Sequence, residues 1–130
     1  MKVIRIPLDI KDECTVHEIQ DAKDLSIEES GKVLNQMKQL IGIEWAEVVV
    51  IHIRPSDPRR DYCLIVDEVG KLKDGWRMNI RASQFYPGTL HGDPIAGNAI
   101  LCAREWTDSF GECDLAGLED NEIAAFMKYL

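Results

Sequence analysis

The sequence predicts an α+β domain, with a mostly antiparallel sheet and two main helices packed on one side of it. Three observations predict this. Short segments rich in β-branched residues, or alternating polar and apolar ones, recur along the chain. Only two stretches repeat their apolar residues at helical spacing. The resulting order, β-β-α-β-β, then turns, then β-α, does not alternate as a doubly wound parallel sheet requires. With 130 residues and no repeat, low-complexity tract or linker, 1–130 is expected to be a single domain.

The elements follow in order. Residues 3–8 and 15–20 read as strands, and Asp9, Lys11, Asp12 and Glu13 between them make a polar turn, so a hairpin is expected. Ser26 is the natural N-cap of the first helix, with Glu29 completing a capping box. Ile27, Leu34, Met37 and Ile41 form its apolar stripe, widened by Val33 and Leu40, and Gly42 closes it. Residues 47–53 are so strongly apolar and β-branched that a central strand is expected. Pro55 and Pro58 mark a loop over 54–61, and 62–66 is another buried strand. Gly70 and Asp74-Gly75 are turns around Lys71-Leu72-Lys73, which reads as a hairpin with solvated lysines. Residues 79–85 form a short helix or irregular backbone, 96–103 a late strand, and 109–117 a loop. A final helix over 119–129 shows an apolar face of Ile123, Phe126, Met127 and Leu130.

Composition narrows the function classes. The formal net charge is −8, against the excess of Lys and Arg on which nucleic-acid binding runs. A surface imitating nucleic acid would usually be poorer in Lys and Arg than this one. No apolar run approaches the ~20 residues that span a bilayer, so no membrane partner and a cytoplasmic location are expected. Cys14, Cys63, Cys102 and Cys113 contain no C-x-x-C pair, so reduced, structural cysteines are expected. A Cys102–Cys113 bridge is the alternative, though nothing demands it.

Enzyme motifs are missing: there is no G-x-S-x-G, no H-E-x-x-H and no Rossmann glycine triplet. Gly92 and Gly97 have the spacing of a P-loop, but Asn98 stands where its Lys belongs. His17 and His52 read as ordinary strand side chains. His91 and Asp93 share one turn, and a carboxylate can orient and charge an imidazole, so they are the one catalytic candidate. The plainer reading has Asp93 capping the turn and His91 facing water. Lys71, Lys73, Arg77 and Arg81 cluster around Trp76 and suggest a seat for a small anion, with Arg59-Arg60 as an extension. The candidate ligand-binding set is Lys71, Arg77, Asn79, Arg81, His91 and Asn98. Asp67-Glu68 as a divalent-ion site is less economical than turn capping before Gly70, so neither a metal nor another cofactor is expected.

The back half carries an ordered series: Gly70-Lys71-Leu72, Asn79 followed by Arg81, Asp93-Pro94-Ile95-Ala96-Gly97-Asn98-Ala99-Ile100-Leu101, and Leu118-Glu119-Asp120-Asn121-Glu122-Ile123. It resembles the domain-of-unknown-function family thirty-eight forty-six, from residue 62 to the C-terminus. The front half is less like that pattern. The resemblance implies a protein of phages and mobile elements and brings no established activity. Small proteins of such elements often act by binding a host protein, for example to inhibit a defence system. The expected function is therefore a non-enzymatic module with a protein–protein interface, for which Trp76 and Trp106, and also Trp45, are the interface candidates. A small-ligand binder for a nucleotide or phosphate is the alternative, an enzyme using His91 and Asp93 a third, and homo-oligomers are compatible with all three.

Overall fold

The computed structural model describes residues 1–20, 31–106 and 113–130. Its centre is a six-stranded sheet with every pairing antiparallel. The strands are β1 (Lys2–Ile6), β2 (Thr15–Glu18), β3 (Ala46–Val50), β4 (Arg60–Asp67), β5 (Ala99–Trp106) and β6 (Cys113–Ala116). The order is β2-β1-β5-β4-β3, and β6 pairs with β5 beyond the end of β1. Strands from both ends of the chain thus share one sheet. β5 is its axis: Ile100 and Leu101 pair with β1 on one side and β4 on the other.

Period-two alternation along the strands sorts the core into two layers. Ile4, Leu64, Leu101 and Ala103 face one way and Val3, Cys63, Ile65, Ile100 and Cys102 the other. Among the described residues three α-helices cover these faces: α1 (Lys32–Ile41), α2 (Ile80–Ser83) and α3 (Asp120–Met127). α1 lays Val33, Met37 and Ile41 on the second layer. α2 and α3 cover the first, where Phe126 meets the rings of Tyr62 and Phe85 edge-on at 4.9 and 5.8 Å. The mostly antiparallel α+β class is as expected. The two longer helices, however, lie on opposite faces, because central strands apolar on both sides need cover on both.

Other expectations are refined. The expected N-cap Ser26, with Ile27 and Glu29, lies outside the described residues; within them α1 starts after Gly31 and ends at Gly42, whose φ of 70° is the left-handed cap. The apolar 47–53 segment is an edge strand, not a central one, and its ladder ends near Ile51. Residues 113–116, expected in a loop, form β6. The Lys71-Leu72-Lys73 stretch is a 3₁₀ turn rather than a hairpin. α3 opens with a capping box between Glu119 and Glu122. All four cysteines are free; Cys63 and Cys102 are cross-strand neighbours with Sγ atoms 3.5 Å apart, fully buried. No helix among the described residues is long and apolar enough to cross a membrane.

Candidate functional site

One end of the sheet gathers most of the residues singled out in the sequence. There β1 finishes, β4 finishes and β5 begins. Asn79 holds this end together. Its side chain is fully buried, and its Nδ2 donates to the carbonyls of Ile6 at 3.0 Å and Gly97 at 2.9 Å. Its Oδ1 accepts the Ala82 N–H at 3.0 Å and so caps α2. Every polar atom of this amide is therefore occupied inside the protein, and Asn79 supports the site rather than contacting a ligand. Arg81 is also spent locally, donating to the carbonyls of Pro7 and Asp9, both at 2.9 Å. Asn98 Oδ1 accepts the Leu8 N–H at 2.8 Å.

Two shallow clefts open over this framework. One, about 280 Å³, is lined by Ile41, Ile43, Lys73, Trp76 and Asn98 among others. The second, about 250 Å³, is lined by Ile10, Met78, Ile80 and Arg81. Leu8 and Arg77 line both, so Arg77 stands between them. The surface here exposes several large apolar side chains: Ile10 is 64% exposed, Ile80 59%, Trp76 42% and Met78 41%.

The charges do not form the expected anion seat. Lys71 is paired with Asp93. Lys73 Nζ lies 2.5 Å from Asp67 Oδ2, while Asp67 Oδ1 accepts the Val69 N–H and so caps the turn before Gly70. With the two lysines neutralised by carboxylates and Arg81 held on carbonyls, Arg77 keeps the one cluster guanidinium without a hydrogen-bond or ion-pair partner among the described residues. Arg77 and Asn98 share a cleft, and Arg77 and Arg81 share the next; Lys71 and His91 line neither. His91 is exposed at the end of a 3₁₀ turn over Pro87–His91. Asp93, its proposed catalytic partner, is instead engaged by Lys71 and, at 3.5 Å, by the Tyr86 hydroxyl. Among the described residues no group of three or more His, Cys, Asp or Glu is arranged to hold a metal ion.

The tryptophans separate. Trp76 lines the first cleft, and Trp45 sits at the same end of the sheet, its carbonyl accepting the Glu68 N–H at 3.0 Å. Trp106 closes the far end of β5, seven residues or roughly 23 Å beyond Ala99, with the Arg104 guanidinium 5.5 Å over its ring. It cannot belong to the same patch. Ile10, Met78 and Ile80 join the site without having stood out in the sequence. Ile10 carried a signal, being the one apolar residue in a run of charged turn residues.

The far end is a charge network with a structural task. Arg60, expected on the Pro-rich loop, is the first residue of β4 and donates to Glu105 and Glu122, each at 2.6 Å, and to the Gly117 carbonyl at 2.8 Å. Burial would raise the Glu122 carboxyl, but hydrogen bonds from Arg60, Tyr62 and the Glu119 backbone outweigh it and hold the pKa below the ordinary value. Burial, then the bond to Glu122, pushes the Tyr62 phenol well up. Arg60 stays charged because Glu122 overcomes the desolvation that would lower its pKa.

Fold and site together define a class: an antiparallel α+β domain with a pair of apolar-rimmed clefts at one end of the sheet, centred on an arginine. Searches against protein-family profiles, curated proteins and solved structures found no match to the chain.

Proposed function

We propose that the protein is a binding module that docks a partner protein on the cleft pair around Arg77. The observation that carries this is the ring of exposed Ile10, Trp76, Met78 and Ile80 about the Arg77 guanidinium, which has no hydrogen-bond or ion-pair partner among the described residues. Tryptophan and arginine are the residues most often found at the energetic centre of interfaces, and an apolar ring excludes water from the central polar contact. The partner segment would bring an apolar side chain to each cleft and a carboxylate or carbonyl to Arg77. The motif resemblance supports a host protein as that partner, with inhibition of a defence system as one use.

Ile80→Asp and Arg77→Glu test this directly. Both side chains are exposed, so folding should survive both changes. A partner captured from the natural host by the parent chain should be lost with either variant. Equal capture by parent and variants would place the interface elsewhere. The alternative, a small anionic ligand, rests on Arg77 and Asn98 in the first cleft. It would show as a low-mass adduct in native mass spectrometry that Arg77→Glu removes.

A further inference from the structure

We propose that the protein self-associates through β3, the edge strands of two copies pairing antiparallel about a two-fold axis at Val48. The hydrogen-bond pattern on the inner side of β3 shows which groups face out. The Trp45 carbonyl accepts from Glu68, and the Ile51 N–H donates to the Tyr62 carbonyl. Hydrogen-bonded pairs in an antiparallel ladder recur every second residue, so 45, 47, 49 and 51 bond inward to β4. Ala46, Val48 and Val50 therefore point their N–H and C=O groups away from the sheet. No partner for these groups occurs among the described residues.

This edge lacks the usual protection. Proteins blunt exposed edges with lysine, proline, bulges or very short strands. β3 is Ala-Glu-Val-Val-Val, in regular register with β4 over all five residues. Val48 and Val50 stand on the sheet face that carries α1, yet are still 38% and 39% exposed.

The strand is its own best complement. With Val48 opposite Val48 of the partner subunit, Ala46 meets Val50 of the partner subunit and the reverse. All three outward residues of each copy are then paired, giving about six new hydrogen bonds. One face gains only Ala–Val and Val–Val contacts, and on the other Glu47 lies opposite Val49 of the partner subunit. Sliding by two residues toward the N-terminus sets Glu47 against Glu47 of the partner subunit, and sliding either way drops an outward pair. Like charges directly opposite are destabilising, so charge and hydrogen bonding select the same register. The product is a continuous twelve-stranded sheet, twice the six strands of one chain. It would carry one Arg77 cleft pair toward each end. This inference stands apart from the partner-docking reading, since β3 contributes nothing to those clefts.

Sedimentation equilibrium of the purified chain tests it, with Val48→Pro as the variant. Proline at 48 removes an outward N–H and no bond to β4, so the monomer should remain folded by circular dichroism. The expected result is a parent species of twice the 14.7 kDa chain mass, with association weakened about 100-fold in Val48→Pro. A parent that is monomeric at every concentration overturns the proposal, even if it captures an extended peptide from another protein. So does a dimer that Val48→Pro and Val48→Lys both leave intact. Should the variants misfold, amide exchange of the parent decides. The amides of Ala46, Val48 and Val50 should be protected at high concentration and exchange faster on dilution; concentration-independent exchange overturns the proposal.

Discussion

Arg60 Nη2 donates to Glu122 Oε1 at 2.6 Å with both side chains only 9% exposed, and so joins the start of β4 to the first turn of α3. Removing one member of such a pair leaves the other buried and uncompensated. Glu122→Ala, which also loses the capping box, should destabilise the fold by about 2–4 kcal/mol, read by urea denaturation. Arg60→Met with Glu122→Leu together should cost much less than the sum of the single changes.

The same pair sets a pH dependence. The folded-state pKa of Glu122 lies below its ordinary value of 4.5. Its contribution to stability is therefore full above that ordinary value and is lost as pH falls through the lower folded value. Thermal unfolding of the parent should show an acid loss that shrinks in Glu122→Gln. An identical acid limb in the two proteins would mean that other carboxylates carry it.

Asn79 should behave as a structural residue. Asn79→Ala leaves two carbonyls and one N–H without their partner and should cost about 2–4 kcal/mol. Asn79→Asp should be worse than Asn79→Ala, because it aims a carboxylate oxygen at the carbonyls of Ile6 and Gly97. The order of the two midpoints in chemical denaturation checks this. A milder Asn79→Asp would mean that the Asn79 amide does not donate to those two carbonyls.

Gly117 packs against the first two residues of the chain. A Cβ there would come within 2.6 Å of Met1 Cβ and 2.9 Å of the Lys2 backbone nitrogen. Lys2 and Leu118 form an antiparallel bridge right beside it, the Leu118 N–H donating to the Lys2 carbonyl at 2.8 Å, so the backbones cannot separate without losing that contact. Gly117→Ala should cost about 1–3 kcal/mol, measured as a lowered midpoint of thermal unfolding.

How far the sequence reveals all this varies by element, for physical reasons. The α1 stripe of Val33, Met37 and Ile41 was legible because helical spacing is local. The strand character of 47–50 was legible for the same reason, but its edge position was not. Three consecutive valines look alike whether the second neighbour is a strand or solvent. β6 was missed because four residues with one strongly apolar member, Leu115, give too short an alternation to stand out. The opposite sides taken by α1 and α3 depend on which face of β4 and β5 each covers, and no local pattern encodes that. At the site, Trp76 and Arg77 were legible as residue types. The neutralisation of Lys71 by Asp93 was not, since 22 positions separate them in the sequence. The same holds for Arg60 and Glu122, 62 positions apart.

The most direct test of the cleft-pair interface is site-specific photo-crosslinking in the natural host. A photoreactive phenylalanine analogue would replace Ile80 in one chain and Trp106 in another. These positions lie at opposite ends of the sheet, so they report on different surfaces. The expected result is a crosslink to one host protein from position 80, abolished by Arg77→Glu, and none from position 106. A crosslink from position 106 alone would contradict the cleft-pair interface and move it to the far end of β5.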